Sequence, residues 1–170
     1  KSFVIATGSR VMEIPPLPLN GKNVISSTEA LELTEVPKTM AIVGGGVIGL
    51  EIGTLYAKLG TSVTVVEALD QLLPNVDKEL VNIVEKQLKK RGMTIYTSAK
   101  ALGIKEKSLE IETSAKEKKT ITADKILVCI GRRPNSEGLG LEKAGVKVDA
   151  KGNISTNLQG MTNVPGIYAI

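Results

Sequence analysis

Residues 40–67 constrain the fold more than any other stretch of the sequence. Here a four-residue apolar run, three consecutive glycines, a helical repeat and a β-branched run follow one another without interruption. Met40-Ala41-Ile42-Val43 shows no polar alternation, as expected of a strand covered on both faces. After Gly44-Gly45-Gly46, the residues Ile48, Ile52, Leu55 and Leu59 recur at helical spacing and predict one apolar stripe. Gly60 closes that helix, and Ser62–Glu67 reads as a second buried strand. A strand, a helix and a strand joined this closely imply a parallel pair with a crossover connection, so the chain is expected to be α/β.

The chemistry of the same stretch follows from its spacing. Gly44-Gly45-Gly46-Val47-Ile48-Gly49 matches the G-x-G-x-x-G pattern in the context that gives the pattern meaning, with a buried strand before it and an amphipathic helix after it. Gly44 permits the tight turn, Gly46 lets a pyrophosphate approach the positive end of the helix, and Gly49 lets helix and strand pack closely. Glu67 lies 23 residues beyond Gly44, at the end of the second strand, where a carboxylate can accept both hydroxyls of an adenosine ribose. No Arg occurs between Glu67 and Val76, so nothing nearby would welcome a 2′-phosphate, and NAD is favoured over NADP. A strand-end side chain bears little of a core, so Glu67→Gln is expected to leave the fold intact. Val47 and Glu51 share one face of the helix, off its apolar stripe. Glu51 reads equally as a surface carboxylate gaining from the helix dipole.

The flanking segments extend the α/β reading. Ser26-x-x-Glu29 is a capping box for a short helix running to about Leu33, and Asp77 is an N-cap for a helix with Val81, Val84 and Leu88 buried and Gly92 beyond its end. Thr94–Thr97 is a third strand. Residues 100–130 change rhythm into a β-meander, with Lys116–Lys119 as a solvated hairpin tip. Lys125–Ile130 returns to a buried-strand composition and ends at Gly131, whose loop is expected on the same carboxyl edge as the glycine-rich turn. Two apolar strands end in Gly-Arg segments, Thr7-Gly8-Ser9-Arg10 and Gly131-Arg132-Arg133-Pro134, which suggests two related nucleotide-binding edges.

Composition removes several function classes. The chain has no His and a single cysteine, Cys129, so His-based triads, His metal sites and an internal disulfide are excluded. Cys129 sits in an apolar strand and reads as a small hydrophobe. The net charge of +4 is spread along 170 residues and aromatics are 2%, which argues against nucleic-acid binding. No apolar run approaches the roughly 18 residues a membrane helix needs, so no membrane is expected.

Taken in order, Ala6-Thr7-Gly8-Ser9, Ser27-Thr28-Glu29-Ala30-Leu31 and Val43-Gly44-Gly45-Gly46-Val47-Ile48-Gly49-Leu50-Glu51 resemble the FAD-dependent pyridine nucleotide–disulfide oxidoreductases. Val63-Thr64-Val65-Val66-Glu67, Gly131-Arg132-Arg133-Pro134-Asn135, Gly138-Leu139-Gly140-Leu141-Glu142 and Gly166-Ile167-Tyr168-Ala169-Ile170 look like the dihydrolipoamide dehydrogenase branch of that family. The resemblance implies a Rossmann-like parallel sheet with flanking helices and an inserted antiparallel β-meander. It also implies a fragment: residues 1–37 as a linker strand and short helix from an FAD domain, 38–160 as the NAD-binding domain, and 161–170 as the strand returning toward the FAD domain.

What the resemblance implies for single residues is specific. Gly44, Gly45, Gly46, Val47, Ile48, Gly49, Leu50 and Glu51 would cradle NAD, with Val47 and Glu51 facing the flavin of the whole protein. Glu67 would hold the adenine ribose, Ala101 would lie against the adenine and Gly131 would approach the nicotinamide. Thr7, Gly8 and Ser9 would touch FAD, which is expected in the parent and not in the fragment. The redox cysteine pair and the His–Glu pair of the family fall outside the chain, so no catalytic residue is expected within it. The parent would be a cytoplasmic homodimer (in the mitochondrial matrix if eukaryotic), associated with a 2-oxo acid dehydrogenase complex. An NADH oxidase or mercuric reductase relative, or a stand-alone nucleotide-sensing module, would carry the same motifs. The first and last strands, Phe3–Ala6 and Ile167–Ile170, are expected side by side.

Overall fold

The computed structural model describes residues 1–170, which divide into two compact units. Residues 13–130 form the larger one and residues 1–12 with 131–170 the smaller. Residues 13–37 group with the main sheet, and residues 131–160 group with the chain ends.

The larger unit is built on a five-stranded parallel sheet. In chain order its strands are β3 (Val24–Ile25), β4 (Thr39–Val43), β5 (Ser62–Val66), β6 (Thr94–Tyr96) and β10 (Lys125–Val128), and in space they run β3-β10-β4-β5-β6. The smaller unit supplies β1 (Phe3–Ile5) and β2 (Ser9–Val11). Helix α1 (Ser27–Leu31) begins at Ser26, whose hydroxyl accepts from the Thr28 N–H while the Glu29 carboxylate accepts from the Ser26 N–H, so the capping box forms as its spacing predicts. Helices α2 (Val47–Lys58) and α3 (Lys78–Lys90) follow β4 and β5, and strands β7 (Lys100–Lys105), β8 (Ser108–Glu112) and β9 (Lys118–Thr122) make the antiparallel meander.

Period-two alternation explains why the strands are apolar throughout. Met40, Ile42, Val63, Val65 and Leu127 pack in one buried cluster with Ile52 and Tyr56 of α2 and Val81 and Leu88 of α3. Their neighbours Ala41, Val43, Val66, Ile126 and Val128 pack in a second cluster with Leu109 and Ile111 of the meander. The sheet is therefore a central layer, covered by helices on one face and by a β-meander on the other.

The face that α2 presents to this core is not the one its sequence repeat predicts. Gly49, Ile52, Gly53 and Tyr56 are buried, whereas Ile48, Leu55 and Leu59 are 38%, 47% and 54% exposed. Close packing selects the glycine side: a Cβ on Gly53 would stand 2.7 Å from Ile42 Cδ1, so the helix lies too near the sheet for large side chains there. Tyr56 fills the end of this face and donates from its hydroxyl to the Ala30 carbonyl at 2.6 Å.

In the smaller unit β1 pairs in parallel with β12 (Ile167–Ala169), Phe3 opposite Ile167, so the chain ends lie together as expected. The two Gly-Arg segments are not separate edges. Strand β2 pairs antiparallel with β11 (Arg132–Pro134), Arg10 opposite Arg133, and Arg132 donates to the Ser9 hydroxyl at 2.7 Å. Each segment is too short and exposed to stand alone, and each satisfies its backbone on the other.

Candidate functional site

Sheet register assembles the candidate site. Val43 is level with Val66 and Val128, and Val66 with Tyr96, so Gly44, Glu67, Thr97 and Cys129 leave the sheet along one carboxyl edge. In open α/β sheets this is the edge where ligands bind.

Gly44 makes the turn at φ 108°, and a Cβ there would meet the Cys129 carbonyl oxygen at 2.3 Å. Only glycine takes that conformation in that space. A Cβ on Gly49 would meet the Gly44 oxygen at 2.4 Å, so the third motif glycine sets the close approach of α2 to β4. Gly46 is the N-cap of α2, with extended backbone, no side-chain cap and nothing within 4 Å of where its Cβ would be. No acidic residue occupies the first turn. The N–H groups of Val47, Ile48 and Gly49 thus have no acceptor within the helix and carry the positive end of its dipole. Val47, Ile48 and Glu51 are exposed, whereas Gly45, Gly49 and Leu50 are buried. Gly45, Gly49 and Leu50 thus pack inward, and the free amides of residues 47–49 open the helix beside the exposed Val47 and Ile48.

Glu67 is not a solvated strand end. It is 8% exposed, its Oε2 accepts from the Gly45 N–H at 2.6 Å, and its Oε1 accepts from the Leu69 N–H at 2.8 Å. The carboxylate links the glycine turn to the loop after β5, so it bears on local structure more than a strand-end side chain would. A carboxylate offers about four acceptor positions, and two remain.

The structure locates the other predicted residues as follows. Ala101 lies at the start of β7, opposite Ile111 and partly buried against the meander-side core. It is two residues beyond Ala99, whose N–H donates to the Glu67 carbonyl at 2.9 Å. Gly131 follows β10 by three residues, takes φ 132° and accepts from the Met12 N–H at 3.0 Å within the smaller unit. Thr7, Gly8 and Ser9 are exposed and edge an open cleft of about 320 Å³. The Gly8 carbonyl accepts from the Asn135 N–H at 2.9 Å. Cys129 is half-buried, and desolvation pushes its thiol up to about 11, which leaves it inert at neutral pH.

Leu72 and Leu73 escape the sequence reading. Leu72 is fully buried behind Gly45, and the Leu73 N–H donates to the Gly45 carbonyl at 2.9 Å. They sit in an aperiodic loop, where no pattern separates a buried leucine from an exposed one such as Leu69.

Comparison with known proteins places this geometry. A family model described as pyridine nucleotide-disulphide oxidoreductase matches residues 1–170. The chain is 44% identical over 176 residues to a dihydrolipoyl dehydrogenase of Thermus scotoductus, with 100% of the chain and 38% of the relative aligned. It is 43% identical over 173 residues to the dihydrolipoyl dehydrogenase of Geobacillus stearothermophilus, again with 100% of the chain and 37% of the relative. The chain therefore spans well under half the length of these relatives. Among solved structures, LpdA from Mycobacterium tuberculosis superposes with a TM-score of 0.85 at 27% identity, covering 98% of this chain and 36% of that one. The HOCl-induced flavoprotein disulfide reductase RclA from Escherichia coli gives 0.83 at 28%, covering 99% and 39%. The glycine turn, the edge carboxylate and these likenesses agree: the chain belongs to the pyridine nucleotide–disulphide oxidoreductase family.

Proposed function

We propose that this chain is the NAD(H)-binding domain of a dihydrolipoamide dehydrogenase. The observation that carries the reading is the pairing of an uncapped helix start with a buried carboxylate one strand away. The Val47, Ile48 and Gly49 amides offer donors to a pyrophosphate, and Gly46 leaves open space before them. Glu67 retains two acceptor positions for the two hydroxyls of an unphosphorylated ribose. The site thus fits NAD by charge and by donor count. Bound NAD⁺ would accept a hydride. The residues of this chain would hold and orient it, with Gly131 toward the nicotinamide, Ala101 toward the adenine, and Val47 and Glu51 toward the flavin.

In this reading the whole protein oxidises dihydrolipoamide through a redox disulfide and FAD, with NAD⁺ as final acceptor. Thr7, Gly8 and Ser9 would contact FAD there. The fragment boundaries expected from the sequence, the homodimer, the association with a 2-oxo acid dehydrogenase complex and the cytoplasmic or matrix location belong to the same reading. Dihydrolipoyl dehydrogenases at 42–44% identity support it over an NADH oxidase or mercuric reductase relative. With one cysteine and no histidine, the chain alone is expected to bind NADH without turning over lipoamide.

Calorimetry with NADH and NADPH tests the proposal. Hydrogen bonds to charged acceptors contribute about 1.5–3 kcal/mol, and a 2′-phosphate would meet Glu67 with like charge, so NADH should bind roughly ten- to a hundredfold tighter. Equal affinities would remove the assignment.

A further inference from the structure

Within the glycine motif, Gly45 is the residue whose surroundings differ most from its neighbours'. Gly44 and Gly49 are needed for backbone approach, and Gly46 faces open space. A Cβ on Gly45 would collide with a side chain, standing 2.4 Å from Leu72 Cδ2 and 3.2 Å from both Cβ and Oε2 of Glu67. Gly45 is buried, and both its polar groups are taken: its N–H donates to Glu67 and its carbonyl accepts from Leu73. Its one donor is therefore spent within the turn.

The loop that makes these contacts is tightly held. The Leu69 N–H donates to Glu67 Oε1 at 2.8 Å, its carbonyl accepts from the Ser98 N–H at 2.7 Å, and the Val76 N–H donates to the Leu73 carbonyl at 2.9 Å. Leu73 takes φ 47°, a conformation that side chains other than glycine seldom adopt, and there its N–H points at Gly45. Leu72 beside it is entirely buried. One side chain and two hydrogen bonds therefore fix the Gly45 peptide, and the next residue, Gly46, is the N-cap of α2.

We infer that Leu72 is a positioning residue of the dinucleotide site: seated in the space that Gly45 leaves empty, it holds the donors at the start of α2 in register with the Glu67 carboxylate. This rests on the dinucleotide reading and extends it to a side chain that touches no ligand. A ligand that spans both groups needs their separation fixed, and small misplacements of positioned groups are costly.

The test is a double-mutant cycle on this 170-residue chain, with NADH affinity by calorimetry and thermal melting measured for every variant. Gly45→Ala should weaken NADH binding roughly tenfold to hundredfold by displacing the turn. Leu72→Ala should weaken it severalfold. The Gly45→Ala/Leu72→Ala double variant should bind no worse than Leu72→Ala alone, because the cavity accepts the new methyl. Multiplied losses in the double variant would overturn the inference, as would NADH affinities equal in all folded variants while only melting changed. Failure of the unsubstituted chain to bind NADH would instead strike the dinucleotide reading at its root, and the positioning role with it.

Discussion

The two units of the molecule are held together by different physics. In residues 13–130 two clusters of aliphatic side chains sandwich a parallel sheet, and Ile42, Val65, Ile126 and Leu127 are entirely buried. In residues 1–12 with 131–170 the buried set is only Leu141, Val146, Thr162 and Ala169. Local polar bonds do much of the work there. Asn157 Oδ1 accepts from the Gln159 and Met161 N–H groups, and Asp149 Oδ1 from those of Lys151 and Asn153. Asn163 donates to the Gly145 carbonyl and accepts from the Lys147 N–H. A buried aliphatic cluster unfolds cooperatively, whereas short turns closed by single side chains open one at a time.

The largest expected effect sets the two kinds of order apart. Ile42→Ala should cost about 2–5 kcal/mol and shift the denaturation midpoint of the sheet unit as a whole. Asn163→Ala removes two hydrogen bonds of about 1 kcal/mol each and should raise amide exchange only around residues 145–163. Exchange rising through both units in either variant would break the contrast.

Glycine substitutions sharpen it. Gly49→Ala puts a methyl against the Gly44 oxygen and Ile42 Cγ2, and such overpacking should cost about 1–3 kcal/mol. Gly8→Ala meets nothing within 4 Å, so its cost of about 1–2 kcal/mol comes from φ 68° alone. Asn tolerates that backbone, so Gly8→Asn should recover most of the loss, whereas Gly49→Asn should be worse than Gly49→Ala. Urea melts of the four variants decide the matter, and an Asn that rescues both sites or neither would show that the causes are not distinct.

Acid should reach both units through their caps. Hydrogen bonds from Ser26 hold the Glu29 carboxyl below its usual range, and bonds from Asn153 and the Lys151 N–H do the same for Asp149. A depressed folded value gives stabilisation that is complete above the ordinary carboxyl range and is lost as pH falls through the folded value. Protection of the Ser26 and Asn153 amides, which donate to these two carboxylates, should therefore hold from neutral pH to roughly pH 4 and fall below it. Loss near pH 6 would contradict this assignment, since the chain has no histidine to titrate there.

The smallest effect belongs to the Arg10–Glu137 pair of the smaller unit, at 2.7 Å but largely exposed. Glu137→Gln should cost about 0.2–1 kcal/mol and become silent in high salt. A larger, salt-independent loss would mean that this unit depends on its surface ion pair far more than its turns suggest.

Much of this architecture is legible in one dimension because it rests on local rules. The capping box at Ser26 and Glu29, the Asp77 cap and the glycines after α2 and α3 act within a few residues, and each appears where its spacing places it. The Gly44–Gly49 turn and the edge acid Glu67 are equally readable, because backbone approach demands glycine whatever surrounds it. The helical repeat of α2 misleads for a physical reason. Ile48, Leu55 and Leu59 form a stripe by hydropathy, but α2 packs through Gly49 and Gly53, which hydropathy does not score as a face.

By itself, then, the sequence determined the α/β class, the strand–helix–strand unit, the glycine turn and the absence of histidine from the chain, all set by composition and by contacts between near neighbours. Only the tertiary structure decided that the two Gly-Arg segments pair with each other and that Glu67 is bound on both oxygens. It also decided that Leu72 occupies the space Gly45 leaves. Each of these depends on residues brought together from different elements, and a side chain's burial is a property of what the fold sets beside it, which no local pattern encodes.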